Sequence, residues 1–211
     1  MGLKIDFHVH TCYSSDSSIT LKQVVSFAKK RGLDGVAVTD HNTVKGAFKL
    51  KTSEIIIVPG IEVSTLDGHL LGINVTTPIP ANLGIEETIQ RIHDAGGIAI
   101  APHPTAFYKS PPSRNVSGYD AIEVMNASSV PFSVLTHFSR MFAEGLGLPQ
   151  TGGSDSHYAP EIGAAYTVVE ADSDVDEIVD AIKRGAVVPR GHGIPWKIRL
   201  ERATLSLKRK I

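Results

Sequence analysis

The sequence predicts an α/β protein whose sheet closes into a barrel, and three observations predict it. Strand-like and helix-like segments alternate about seven times, and most of the strands are short and apolar. That is the pattern of a parallel sheet covered by helices. Bulky branched residues then share one parity and small or polar residues the other. Ile98 and Ile100 oppose Ala99, Ala101 and His103; Ile61 and Val63 oppose Gly60, Glu62 and Ser64; Ile122 and Val124 oppose Ala121 and Glu123. An open doubly wound sheet wants bulk on both faces, whereas a barrel can turn bulk to its helices and keep a polar lumen. Finally, histidines and acids gather at strand ends, mostly C-terminal ones, which is the rim where barrel active sites form.

The first strand, Leu3 to His10, alternates strictly. One face carries Leu3, Ile5, Phe7 and Val9, expected under the helices; the other carries Lys4, Asp6, His8 and His10, expected in the interior. Cys12 to Ser18 is a polar loop. Thr20 is an N-cap for a helix through Leu21, Val24, Val25 and Ala28 that stops at Gly32. Gly35 to His41 reads as a buried strand, and a weaker helix runs from Asn42 or Thr43 towards Leu50. Glu54 to Ser64, a turn at Thr65 to Gly68, and His69 to Val75 give two further strands. Ile85, Ile89 and Ile92 have helical spacing and end at Gly96-Gly97. Ile98 to Pro104 is a strand, Tyr108 to Gly118 a proline-containing loop, Ala121 to Asn126 a strand and Pro131 to Gly145 a helix. Gln150 to His157, Thr167 to Glu170, a helix over Val175 to Arg184, and Ala186 to Val188 complete the alternation.

At 211 residues and 42% hydrophobic, residues 1–211 are expected to form one domain, with 195–211 a basic tail. That tail holds six basic residues and one acid between Lys197 and Lys210. It is expected to form an amphipathic helix packing Leu200 to Leu207 on the barrel. A net charge of -1 gives no global attraction to nucleic acid or membrane. The single cysteine, Cys12, excludes an intrachain disulfide framework and suits a reducing compartment. No apolar run reaches the roughly 18 residues of a membrane span, and the N-terminus is a charged strand. The expectation is a cytoplasmic protein without a membrane partner; oligomeric state is not legible.

His8, His10, His41, Glu62, His69, His103, Asp155 and His157 all fall at or near strand ends. Imidazole mixed with carboxylate suits zinc, manganese or iron, whereas magnesium would take oxygen almost alone. His93 and His137 lie within helices and are read as surface or capping residues. His192 lies late in the chain, away from these motifs.

Asp6-x-His8-x-His10-Thr11, Thr39-Asp40-His41, Gly60-Ile61-Glu62, Ala101-Pro102-His103-Pro104 and Gly153-Ser154-Asp155-Ser156-His157 together resemble the polymerase and histidinol phosphatase (PHP) superfamily, in the family's order. The resemblance implies a distorted (β/α)7 barrel and phosphoester hydrolysis at two or three divalent ions (Zn, Mn or Fe). One ion would take His8, His10, Glu62 and Asp155; a second would share Glu62 and add His69 and His103. A third would use His41, His157 and a loop acid. That acid is Asp16, although the family often places it one residue earlier, where Ser15 stands here.

Lys109 and Arg114, in the loop after His103, are the candidate contacts for substrate phosphate. Only 33 residues lie between His69 and His103, room for a strand and a helix but for no inserted capping domain. The expected substrates are small phosphomonoesters or phosphodiesters, such as nucleotides, short oligonucleotides or histidinol phosphate. Glu62, Asp155 and His157 are expected to serve the reaction, a direct in-line attack by a metal-bound hydroxide without a phosphoenzyme. The rival is a non-catalytic metal-binding regulatory or assembly module on the same barrel, which loss of a core ligand would favour. None is lost; only the loop acid is displaced.

Overall fold

The computed structural model describes residues 2–113 and 117–209, with 206–209 described by backbone alone. In chain order the elements are β1 (Leu3–Val9), α1 (Leu21–Lys30), β2 (Gly35–Val38), α2 (Lys45–Lys49), β3 (Ile56–Thr65), β4 (Gly68–Ile73) and α3 (Ile85–Asp94). They continue through β5 (Ile98–Ala101), β6 (Ala121–Asn126), α4 (Phe132–Leu146), β7 (Gln150–Gly153), β8 (Ala165–Val169), α5 (Val175–Lys183), β9 (Val187–Gly191) and α6 (Trp196–Arg209). The capping prediction holds at α1: Thr20 accepts from Gln23 N, and the Gln23 side chain reciprocates.

The described strands form one sheet in the order β7-β6-β5-β4-β3-β2-β1-β8-β9. Its two far parts meet again just beyond β7, where Val9 and Ser156 form a parallel bridge. His10 N donates to Ser156 O at 3.1 Å and Asp155 N to His8 O at 2.8 Å. The sheet is thus a nearly closed barrel. It is not wholly parallel. β4 runs antiparallel to both β3 and β5, and β8 antiparallel to β1 and β9. The reason at β4 is the tight turn from Thr65 to Gly68, which is too short for a crossover and forces a hairpin.

The interior has two layers. Below, Ile5, Phe7, Ala37, Val58, Leu71, Ile73, Ile98, Ile100 and Ala121 form one buried cluster drawn from six strands, with Leu3 packed against it. Ile178, Val179 and Ile182 of α5 join that cluster and stopper the lower end. Above lie the polar residues of the rim.

This corrects the expected facing of β1, because Leu3, Ile5 and Phe7 point inward. Asp6 pairs with Val36 but Val9 pairs with Val38, so β1 carries one extra residue. That bulge switches the phase of the strand. Below it Ile5 and Phe7 face the interior; above it His8 and His10 do, while Val9 turns out onto Val24 and Ala28 of α1. Asp6 also leaves the lumen. Its carboxylate accepts from Ser154 N at 2.8 Å and Gly163 N at 2.9 Å, and burial raises its pKa to about 6. β5 is corrected likewise: Ile98 and Ile100 fill the lower interior, and Ala99 and Ala101 lie outward in the cluster of Ile85, Ile89 and Ile92. A strand buried on both faces keeps no parity signal, and the lower barrel is a packed core, not a lumen. The outward facing of Ile61, Val63, Ile122 and Val124 agrees with expectation.

The tail is also rearranged. Leu200 is 65% and Leu205 42% exposed, so among the described side chains α6 does not dock through leucines, and Leu207 lies outside them. The helix docks through Arg199, which donates to Ile194 O, Ser128 O and Ala127 O at 2.9–3.1 Å. No helix among the described residues is long and apolar enough to cross a membrane.

Candidate metal centre

Each chemistry-bearing side chain enters the upper rim from a strand end or the loop after it. The β1 bulge aims both His8 and His10 inward. Glu62 stands on the inner parity of β3, opposite Leu71, and His69 on β4 opposite Ser64. His41 follows β2 and forms a bridge to Glu62. His103 follows β5, and Asp155 follows β7, both with positive φ (34° and 53°). Non-glycine residues held in that region mark a backbone constrained by its surroundings.

Glu62 is the hub. Its Oε2 lies 3.3 Å from His8 Nε2, 3.1 Å from His10 Nε2 and 3.4 Å from His41 Nδ1. Its Oε1 lies 3.1 Å from His69 Nδ1 and 3.4 Å from His103 Nε2. Asp155 Oδ1 stands 3.6 and 3.5 Å from the Nε2 atoms of His8 and His10. On the outer side, Asp16 Oδ2 is 3.0 Å from His157 Nε2 and 3.5 Å from His41 Nε2. The geometry therefore brings together His8, His10, Asp16, His41, Glu62, His69, His103, Asp155 and His157. Asp16, rather than Ser15, is the acid that reaches the histidines.

The loop carrying Asp16 folds over the rim because buried Asp40 pins its start. Asp40 accepts from Thr11 N, Thr11 Oγ1 and Ser14 Oγ at 2.6–3.0 Å, and Ser18 N donates to His157 O at 3.0 Å. A second ring of contacts orients the imidazoles. His8 Nδ1 meets Glu123 Oε1 at 3.0 Å, His10 Nδ1 meets Ser14 Oγ at 3.2 Å, and His157 Nδ1 meets Asp155 O at 3.0 Å. Glu123 also accepts from His103 N at 3.0 Å and Asn126 Nδ2 at 2.9 Å, and Asn126 Nδ2 is 3.2 Å from Asp155 Oδ2. Sequence reasoning gave no role to Glu123, Asn126, Asp40 or Ser14. Two of them left a signal: Asp40 stands within a motif of the family, and Glu123 is an acid on the inner parity of a mostly apolar strand.

Electrostatics favours ionised acids. Burial would raise the pKa of Glu62, but His8 and the hydrogen-bonding rings of His10, His103 and His69 hold it well below the carboxylate range. Burial is likewise outweighed at Asp155, chiefly by Lys109 and His8. Burial lowers the pKa of His103, which favours the neutral ring with one nitrogen lone pair free to donate. At His8 burial opposes protonation, yet Asp155, Glu123 and Glu62 raise the pKa well above the usual histidine value.

These residues fit divalent cations. His8 Nε2 and His10 Nε2 face each other across 3.1 Å and converge with ionised oxygens, a concentration of lone pairs that a cation satisfies. Three sets of donor atoms lie within 4.8 Å of one another: His8, His10 and Asp155; His10, His41 and His157; and His41, Glu62 and His69. Buried His103 Nδ1 finds no hydrogen-bond partner among the described residues. Imidazole with carboxylate is a zinc, manganese or iron donor set.

Above the cluster opens a cavity of about 290 Å³ lined by Asp16, His41, Glu62, His69, His103, Asp155 and His157 and by Tyr108, Lys109, Ser110, Ser128 and Arg202. Lys109 Nζ is 2.6 Å from Asp155 Oδ2 and donates to Ser128 Oγ at 3.3 Å. Arg114 lies outside the described residues. The other histidines stay apart: His93 pairs with Asp120 at 2.8 Å, His137 is exposed beside Phe138, and His192 is exposed.

Comparison with known proteins supplies independent findings. A family model described as the PHP domain matches residues 6–145, and one described as PHP-associated matches 137–187. An uncharacterized protein of Methanocaldococcus jannaschii is 37% identical over 141 residues, 59% of this chain and 82% of that one. A phosphoribosyl 1,2-cyclic phosphate 1,2-diphosphodiesterase of Eggerthella lenta is 34% identical over 99 residues, 42% of this chain and 37% of that enzyme. Among solved structures, a two-domain protein from Bacteroides vulgatus, named as containing a predicted PHP-like metal-dependent phosphoesterase, superposes with TM-score 0.77 at 17% identity. The match covers 91% of this chain and 65% of the longer one.

Proposed function

The chain belongs to the PHP domain family, and from that premise we propose that it is a metal-dependent phosphoesterase acting on small phosphomonoesters or phosphodiesters. The observation that carries this reading is the sharing of the two Glu62 oxygens among five imidazoles. A carboxylate so placed would bridge two cations. The proposed ligands are His8, His10, Glu62 and Asp155 for one ion, Glu62, His69 and His103 for a second, and Asp16, His41 and His157 for a third. Such ions activate water near neutral pH and stabilise charge on the attacking and leaving oxygens.

The chain's own groups do the rest. Lys109, beside Asp155, would hold a phosphoryl oxygen by charge, and Ser128 steadies its ammonium. Asp155 and Glu62, kept ionised, fix the positions of the opposing imidazoles. The cavity, small for a ligand pocket, suits a compact phosphoester. The E. lenta relative's named substrate, a cyclic phosphate, makes diesters the first choice for testing. Phosphomonoesters, dinucleotides and cyclic nucleotides should be screened with manganese, zinc or iron added. We expect turnover of at least one diester or monoester, abolished by a chelator and by Glu62→Gln. Cation binding without turnover of any of these would instead favour a non-catalytic metal-binding module.

A further inference from the structure

The helix α6 ends the described chain, yet one of its side chains lines the cavity above the cluster. Arg202 lines that cavity together with His157, His69 and His103. Among the described residues its carboxylate partner is Glu161, and the pairing is loose: Arg202 Nη1 lies 3.4 Å from both Glu161 oxygens. A tight charge-assisted bond is about 2.7–2.9 Å. Glu161 is already engaged, since its Oε2 accepts from His157 N at 2.9 Å and Tyr158 N at 3.0 Å. The Arg202 side chain is 36% exposed while that of Glu161 is 1% exposed. The guanidinium thus makes one loose carboxylate contact and stays partly open to solvent in the cavity lining.

The helix that carries it is fastened to the cavity wall. Arg199, one turn earlier, donates to Ala127 O and Ser128 O. Ser128 in turn accepts from Lys109 through its Oγ. Through one loop, then, α6 is joined to the other cation of the cavity, and the two cations share a lining rich in imidazole and carboxylate.

We propose that Arg202 is a substrate-binding residue, and that α6 is a wall of the site whose guanidinium, with Lys109, grips the oxygens of the phosphate group. The inference rests on the phosphoesterase reading for its substrate class. Arginine's planar fork matches phosphate in a way a lysine point charge does not. The competing account makes Arg202 a counter-ion of Glu161 and nothing more.

Binding of inorganic phosphate to the manganese-loaded protein, followed by calorimetry, separates the two without requiring turnover. Arg202→Gln should weaken phosphate binding about tenfold or more, the loss expected for a charged hydrogen bond, with metal content unchanged by elemental analysis. Arg202→Lys keeps the charge beside Glu161; it should keep the melting temperature and recover phosphate affinity only in part. With any phosphoester that is turned over, KM should rise by a larger factor than kcat falls. Unchanged phosphate affinity in both variants, or no phosphate binding by the loaded wild-type protein, overturns the proposal. If phosphate binding depends on Arg202 while no phosphoester is hydrolysed, this inference stands and the phosphoesterase reading fails.

Discussion

Glu123 holds two histidines at once, His8 through its ring and His103 through its backbone. Residues that orient ligands in this way typically cost 10–100-fold in metal affinity when changed. Glu123→Gln, which keeps the shape and removes the charge, is expected to weaken manganese or zinc binding by roughly that factor; equal affinity by calorimetry would mean that His8 is oriented without it. Asp16→Ala should lower the number of ions bound while leaving the fold and the Glu62-centred ions in place, read by elemental analysis and circular dichroism. Protons compete with cations for the same rings. Asp155, Glu123 and Glu62 raise the pKa of His8, which strengthens that competition around neutral pH. Cation affinity should therefore rise as pH rises through that range and fall on acidification; a flat profile between pH 6 and 8 would contradict it.

At the level of the element, β1 shows what the sequence could and could not reveal. The His-x-His spacing placed two imidazoles on one face correctly, because that part of the strand is regular. The bulge below it was invisible, since alternation in the sequence continues unbroken while the ladder gains a residue. Most element boundaries were legible from caps and glycines, as at Thr20 and Gly32. The packing of α6 was not, because arginines that bond backbone carbonyls carry no periodic signal. β7 gives the sharpest test of packing. A Cβ at Gly153 would lie 2.5 Å from His8 Cβ and 2.9 Å from Glu123 Oε1, so β7 passes the ligand strand closer than any side chain allows. Gly153→Ala should displace His8 or Glu123 and lower metal content more than Gly145→Ala, whose Cβ meets nothing within 4 Å. Equal metal content in the two variants would refute that account.

For the whole molecule, the proposed cations join side chains from β1, β3 and β4 and from the loops after β1, β2, β5 and β7. Bound ions stabilise the folded state alone, by about 2.7 kcal/mol at a hundredfold excess over Kd. Chelation should therefore lower the melting temperature by roughly 5–10 °C for a chain of this size; an unmoved transition would mean that the rim is rigid without ions. The bridge between Val9 and Ser156 also imposes an order in time. A growing chain that has left the ribosome only as far as β6 already holds His8, His10, His41, Glu62, His69 and His103. It still lacks Asp155 and His157, and its sheet stops at an unpaired edge. The donor set is completed by the segment that follows β7, the last parallel strand to be made, so a cation captured then would fasten the first-made strand to that segment.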